Sequence, residues 1–247
     1  MIEITWKITI RIPRQRQDEI SAQWQDFSVE ISPDETVLDA VEKIWAFQDH
    51  TLTFRHACHH STCGACGMRV NGVEKLTCIT PIREVTRNNG TLRVEPLRNF
   101  PVVSDLVVDL SRFFEDIERM HPPQVATNRQ DNLLYEPVAD ESANLERLVD
   151  CIECGLCVSA CPVALTDNEY LGPASLAALQ QALAASIDTA EIDLADHHTG
   201  AWRCHSAFEC SAVCPSNVEP GYRIMDLRKQ LMQKNFKQWF GGKGKRA

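Results

Sequence analysis

The chain has 247 residues, enough for two modest domains, and its 44% apolar and 24% charged composition is that of an ordinary globular protein. A formal net charge of −9 excludes a nucleic-acid binder, because no basic surface is available to neutralise phosphates. No apolar run approaches the roughly 20 residues that span a bilayer, and the charged, alternating start is a poor signal peptide, so a cytosolic setting is expected.

Ile2, Ile4, Trp6, Ile8, Ile10 and Ile12 alternate, which predicts a strand with one buried face. A polar stretch follows, and Phe27, Val29 and Ile31 alternate again as a second strand. Ser32-Pro33-Asp34-Glu35 reads as the opening of a helix, with acidic side chains in the first turn where the macrodipole favours them. Val37, Leu38, Val41 and Ile44 are its apolar face. After a cysteine-rich loop, Met68 to Leu76 reads as a hairpin around Asn71-Gly72, a pair suited to a tight turn with positive φ. Thr91 to Glu95 is a last strand. Strands wrapped around one helix predict a β-grasp domain over residues 1–104.

The text then changes period. Leu106, Val107, Leu110, Phe113, Phe114 and Ile117 recur at helical spacing. Residues 121–143, rich in Pro, Asn, Asp and Gln, read as a surface crossing, and helices are expected at 144–150, 173–186, 188–196 and 220–236. Residues 105–247 are thus expected to form a mostly α second domain. The tail is frayed, or lies as a basic segment from Lys237 to Arg246 against anionic headgroups.

Eleven cysteines in a reducing compartment point to metal ligation and not to a disulfide framework. Cys58-x4-Cys63-x2-Cys66 with a later Cys78 has the spacing of a plant-type [2Fe–2S] site. A tight loop supplies three thiolates, and a following strand supplies the fourth. Gly64 and Gly67 are read as letting backbone N–H groups approach the sulfides. The competing reading is a zinc site, but structural zinc sites usually present two C-x2-C pairs. His59 and His60 are not needed as ligands, since four cysteines already complete the set; they are read as loop residues beside the cluster.

Cys151-x2-Cys154-x2-Cys157-x3-Cys161-Pro162 is the bacterial ferredoxin run, whose fourth cysteine serves the other cluster of a two-cluster protein. A degenerate second run follows, Cys204-x5-Cys210-x3-Cys214-Pro215, with Ala207 where a middle cysteine would stand. The swap rule assigns Cys151, Cys154, Cys157 and Cys214 to a [4Fe–4S] cluster. It leaves Cys161, Cys204 and Cys210, enough for a [3Fe–4S] cluster, and no cysteine is left over.

With these motifs in view, CGACGM, LRNFPVVSDLVVDLSRFF, CIECGLCVSACP, LGPASLAAL and ECSAVCP stand in the order found in the iron–sulfur subunits of succinate dehydrogenase and quinol:fumarate reductase, which the chain resembles along nearly its whole length. Some segments are more similar to the fumarate-reductase branch. The resemblance implies an α+β protein: a β-grasp plant-type [2Fe–2S] domain followed by an α-helical ferredoxin domain. It implies an electron relay between the FAD of a flavoprotein subunit and a quinone held with membrane-anchor subunits. The chain would then be peripheral, on the cytoplasmic face of the inner or plasma membrane. Succinate chemistry would belong to the flavoprotein. Fumarate reduction, or service to another flavoprotein complex, is the alternative. His205 and Arg228 match family positions near the quinone. Two departures are visible. The family's Arg after the first cysteine is replaced by His59, and no Trp stands in Val163-Ala164-Leu165-Thr166 after Cys-Pro.

Overall fold

The computed structural model describes residues 4–16, 19, 21–120, 151–184 and 190–241, with side chains outside 181–191 and 237–241. The expected crossing at 121–143, the helix at 144–150 and the end of the tail lie outside the described residues. The chain divides into two compact units, Met1–Ser111 with Ile152–Ala160, and Arg112–Cys151 with Cys161–Ala247.

In the first unit, β1 (Trp6–Arg14) pairs antiparallel with β2 (Gln23–Ile31), placing Ile8 opposite Val29 and Ile10 opposite Phe27. The alternation puts Ile8, Ile10 and Ile12 fully inside. Ile4 lies before the ladder and is 65% exposed, so the buried face starts later than the isoleucine pattern implies. β3 (Gly67–Val70) and β4 (Val73–Leu76) form the hairpin over Asn71 (φ 51) and Gly72 (φ 86). β5 (Thr91–Glu95) joins the two pairs, parallel to β1 and antiparallel to β3. The sheet order is β2-β1-β5-β3-β4.

Helix α1 (Val37–Phe47) buries Val37, Ala40, Val41 and Ile44 in the same core as the strands. It starts one turn later than Ser32-Pro33-Asp34-Glu35 suggests. Those residues close a turn, with Glu35 N–H donating to the Ser32 carbonyl at 3.1 Å. The reason is Thr36. Its Oγ1 accepts the Asp39 N–H at 3.2 Å while the Asp39 carboxylate accepts the Thr36 N–H at 2.8 Å, a reciprocal cap worth about 0.5–2 kcal/mol. A short helix α2 (Ile82–Val85) precedes β5.

The apolar recurrence from Leu106 to Ile117 is not one helix. Strands β6 (Val102–Ser104) and β7 (Val107–Val108) form a small hairpin, and α3 begins only at Ser111 and runs to Met120. The cause is Asp105, 1% exposed with φ 47. Its carboxylate accepts from Arg14 Nε (3.1 Å), Gln15 N (3.1 Å), Thr53 N (3.0 Å) and Thr53 Oγ1 (3.1 Å), so a buried charge pins the chain to the β-grasp core. The first unit therefore extends past residue 104, and Leu106 belongs to its core.

Residues 152–160, expected in the second domain, belong to the first unit. Helix α4 (Leu156–Ala160) is held by Ser159, whose hydroxyl donates to buried Glu74 at 2.8 Å and accepts the Arg98 N–H at 2.9 Å. Asn99 Nδ2 donates to the carbonyls of Val158 (2.7 Å) and Ser159 (3.2 Å).

The second unit is helical in its described residues: most of α3, then α5 (Pro162–Thr166), α6 (Gly172–Ala184), α7 (Ala190–Ala195), α8 (Glu209–Ala212) and α9 (Pro220–Gly241). Leu176, Leu179, Ile224, Leu227 and Leu231 form the α6–α9 seam, joined by Met120, Val163 and Tyr170. Pro173 sits in the first turn of α6, where its missing N–H costs nothing. Among the described residues, no helix is long and apolar enough to cross a membrane.

Candidate functional site

None of the eleven cysteines forms a disulfide. Four of them meet at one end of the β-grasp sheet. The loop before β3 winds through left-handed residues, His59 (φ 61), Ser61 (φ 61) and Gly64 (φ 70), which turns successive N–H groups inward. Three of these point at Cys58 Sγ, from His60 (3.5 Å), Thr62 (3.3 Å) and Cys63 (3.4 Å). These donors, led by His60, bring the Cys58 thiol down to about 6. Cys66 lies just before β3 and Cys78 on a 3₁₀ turn, Thr77–Ile79, after β4. Both are buried, and Thr77 ties the two segments by donating its N–H (3.2 Å) and Oγ1 (2.8 Å) to the Cys66 carbonyl. Burial, and then the adjacent Cys66 thiol, push Cys78 up to about 11.

Neighbouring thiols that disfavour one another's ionisation are relieved by a cationic core, which inverts the local charge balance. Four thiols and a fan of backbone N–H donors suit a [2Fe–2S] centre. The histidines take other partners. His60 Nδ1 bonds the carbonyl of Cys58, and the His59 ring meets His56 and Glu42.

Gly64 and Gly67 have a different main cause from the one the spacing suggests. A Cβ on Gly64 would fall 2.8 Å from Cys154 Cβ and 2.9 Å from the Ile152 carbonyl oxygen; one on Gly67 would fall 3.2 Å from Leu156 Cδ2 and 3.3 Å from the Cys154 carbonyl oxygen. Both glycines make room for the segment that carries Cys154 and Cys157. Within that segment Glu153 (φ 52) and Gly155 (φ 77) are left-handed, which winds the ferredoxin run tightly.

In the second unit Cys161 caps α5, Cys204 follows the 3₁₀ turn Ala201–Arg203, and Cys210 lies on α8. All three line one pocket with Ala207, His205 and Tyr170. Burial, and then the other two cysteines, push Cys210 up to about 12; burial raises Cys161 as well, with a lesser push from Cys204. The same relief by a cationic core is available here, from three thiols in place of four. Tyr170, 5% exposed, carries a buried hydroxyl with no standard hydrogen bond, on which the three sulfurs act. Burial chiefly, and then these thiols, raise its pKa far above the ordinary tyrosine value.

His205 is exposed at the rim. Arg228, on α9, is not a free surface charge. Its Nε donates to the Ala201 carbonyl (2.9 Å), and its guanidinium also reaches the carbonyls of Trp202 (3.2 Å) and Cys204, clamping the loop that bears Cys204. Sequence pattern gives no sign of this clamp, because its partners are main-chain atoms.

A β-grasp loop of four thiols followed by a two-run ferredoxin segment defines a two-part iron–sulfur protein. The comparisons agree: residues 9–115 match the family described as "2Fe-2S iron-sulfur cluster binding domain", and residues 147–218 match "4Fe-4S dicluster domain". The fumarate reductase iron–sulfur subunit of Mycobacterium tuberculosis is 34% identical over 96% of this chain and 99% of its own. The mitochondrial succinate dehydrogenase iron–sulfur subunit of Candida glabrata is 34% identical over 79% of this chain and 78% of its own. A chain of the Mycobacterium smegmatis Sdh1 complex superposes with a TM-score of 0.84 at 25% identity, covering 94% of this chain and 98% of that one. The chain belongs to the family of succinate dehydrogenase and fumarate reductase iron–sulfur subunits.

Proposed function

We propose that this chain is the electron relay of a succinate:quinone oxidoreductase, linking the FAD of a flavoprotein subunit to a quinone held with membrane-anchor subunits on the cytoplasmic face of the membrane. When bound, the clusters supply one-electron steps that join two two-electron reactions. The chain holds and spaces them: Cys58, Cys63, Cys66 and Cys78 for [2Fe–2S]; Cys151, Cys154, Cys157 and Cys214 for [4Fe–4S]; Cys161, Cys204 and Cys210 for [3Fe–4S]. The observation that carries this reading is Ala207, which lines the same pocket as Cys161, Cys204 and Cys210. A non-ligating methyl stands beside three thiols, which favours a cluster with three protein ligands. His205 and Arg228 are proposed for the quinone side, His205 by exposure at the rim and Arg228 by fixing the Cys204 loop. The flavoprotein reduces fumarate or oxidises succinate through the same relay.

The test is purification of the tagged chain from detergent-solubilised membranes. A relay subunit brings with it a flavin-containing subunit and hydrophobic anchor subunits in equal amounts, with succinate-dependent quinone reduction or quinol-dependent fumarate reduction. A brown protein that purifies alone, without flavin, refutes the proposal in favour of a free ferredoxin carrier.

A further inference from the structure

The loop that carries Cys58 also holds ligand-type side chains that the cysteine constellations leave unused. Glu42 Oε1, His56 Nδ1 and His59 Nε2 converge on one point at the first unit's surface. The separations are 3.2 Å between Glu42 and His56, 3.4 Å between Glu42 and His59, and 3.1 Å between the two ring nitrogens. Glu42 Oε1 is buried at the atom level, yet no donor reaches it with hydrogen-bond geometry. The carboxylate oxygen and the two ring nitrogens all lie within 4.8 Å of one another.

The distances fit a shared ion. An ion bound tetrahedrally at about 2.0–2.1 Å to nitrogen and oxygen holds its ligands about 3.3 Å apart. All three separations lie close to that edge length. The two ring nitrogens are within hydrogen-bond distance of each other, but neither meets Glu42 Oε1 with hydrogen-bond geometry, so a ring–ring hydrogen bond leaves the buried carboxylate oxygen unsatisfied while a shared cation satisfies all three atoms. The three residues are also held in place before any ion arrives. Glu42 is on α1; the His56 ring stacks on Phe54 at 5.1 Å and 20°; His59 is fixed in a left-handed turn beside Cys58.

We propose that Glu42, His56 and His59 form a binding site for a divalent cation of the zinc class. Imidazole nitrogens with one carboxylate suit zinc and its neighbours in the transition series better than magnesium or calcium. The His56 and His59 side chains are 42% and 44% exposed, so a fourth position is open to water. Three protein ligands and an open position describe an exchangeable site and not a closed structural one. The site is independent of how the iron–sulfur clusters are assigned.

The experiment is equilibrium dialysis of the cluster-replete full chain against zinc chloride, with zinc and iron measured by elemental analysis. The proposal expects one added zinc per chain with iron unchanged, and at least a tenfold weakening in both Glu42→Gln and His56→Asn. Protection of His56 and His59 from diethyl pyrocarbonate by zinc, mapped by mass spectrometry on the unmutated chain, is expected in parallel and does not depend on any variant folding. No bound zinc, zinc that enters only as iron is lost, binding unchanged in both variants, or no protection of the two histidines overturns the proposal.

Discussion

Replacing Gly64 with alanine tests how the [2Fe–2S] loop is packed. The new Cβ would meet Cys154 Cβ at 2.8 Å, Cys154 Cα at 2.9 Å and the Ile152 carbonyl oxygen at 2.9 Å. Two of these are backbone atoms, so no rotamer change relieves the overlap. Overpacking of this kind costs about 1–3 kcal/mol. The backbone is also left-handed, with φ +70, which costs an alanine roughly a further 1–2 kcal/mol. The sum, about 2–5 kcal/mol, is a large share of a domain's stability and lowers the melting temperature of a chain this size by at least about 4 °C. Thermal unfolding followed by circular dichroism, with iron content after purification, is the assay. Gly67→Ala is the internal comparison. It has no positive φ, and its tightest contact, 3.2 Å, is to the flexible end of Leu156, so it should cost less. Gly64→Asn separates the two causes, since asparagine accepts the left-handed turn but still carries a Cβ. Wild-type melting and iron content in Gly64→Ala, or full rescue by Gly64→Asn, would refute the packing argument.

Three further outcomes are expected. Ser159→Ala removes the bond to buried Glu74 (2.8 Å) and the acceptor for Arg98 N–H (2.9 Å), at about 1.5–3 kcal/mol, read as a lower urea midpoint. An unchanged midpoint would show that Arg69 and Arg98 suffice to hold Glu74. Arg228→Met removes the donors to the carbonyls of Ala201, Trp202 and Cys204 and should release iron from the second unit before the first. Arg228→Lys should restore little, because a single ammonium cannot fork to several carbonyls; full recovery by lysine would count against the clamp. Tyr170→Phe removes a buried hydroxyl beside the three sulfurs and is expected to lower the midpoint potential of the cluster they hold by about 40 mV, the equivalent of roughly 1 kcal/mol in a one-electron step. A potential unchanged in redox-titrated EPR would remove Tyr170 from that role.

The cluster-binding domains of this chain were legible where they depend on local spacing. The run from Cys58 to Cys66, the ferredoxin run and the missing thiol at Ala207 are all short-range patterns, and Asn71-Gly72 marks its hairpin for the same reason. What escaped depends on partners far along the chain. The parallel pairing of β1 with β5 has no local signature. Gly64 needs its small size because of Cys154, ninety positions later. Leu106, Val107 and Leu110 mimic a helical stripe, but the buried Asp105 and its donors on Arg14, Gln15 and Thr53 fold that stretch as a hairpin and extend the first unit. The helix start at Thr36 was within reach, since Thr36 and Asp39 stand three apart as a capping pair does. Glu42 and His56 were not, because no motif joins them.

In the proposed relay the third cluster has three protein ligands because residue 207 is alanine and not cysteine. Ala207→Cys tests it most directly, by low-temperature EPR of the air-oxidised protein before and after stepwise reduction. The oxidised [3Fe–4S] signal should disappear, a [4Fe–4S] signal should emerge at lower potential, and the chain should gain one iron. An unchanged [3Fe–4S] signal in a folded, iron-replete Ala207→Cys protein would contradict the assignment of Cys161, Cys204 and Cys210 to that centre.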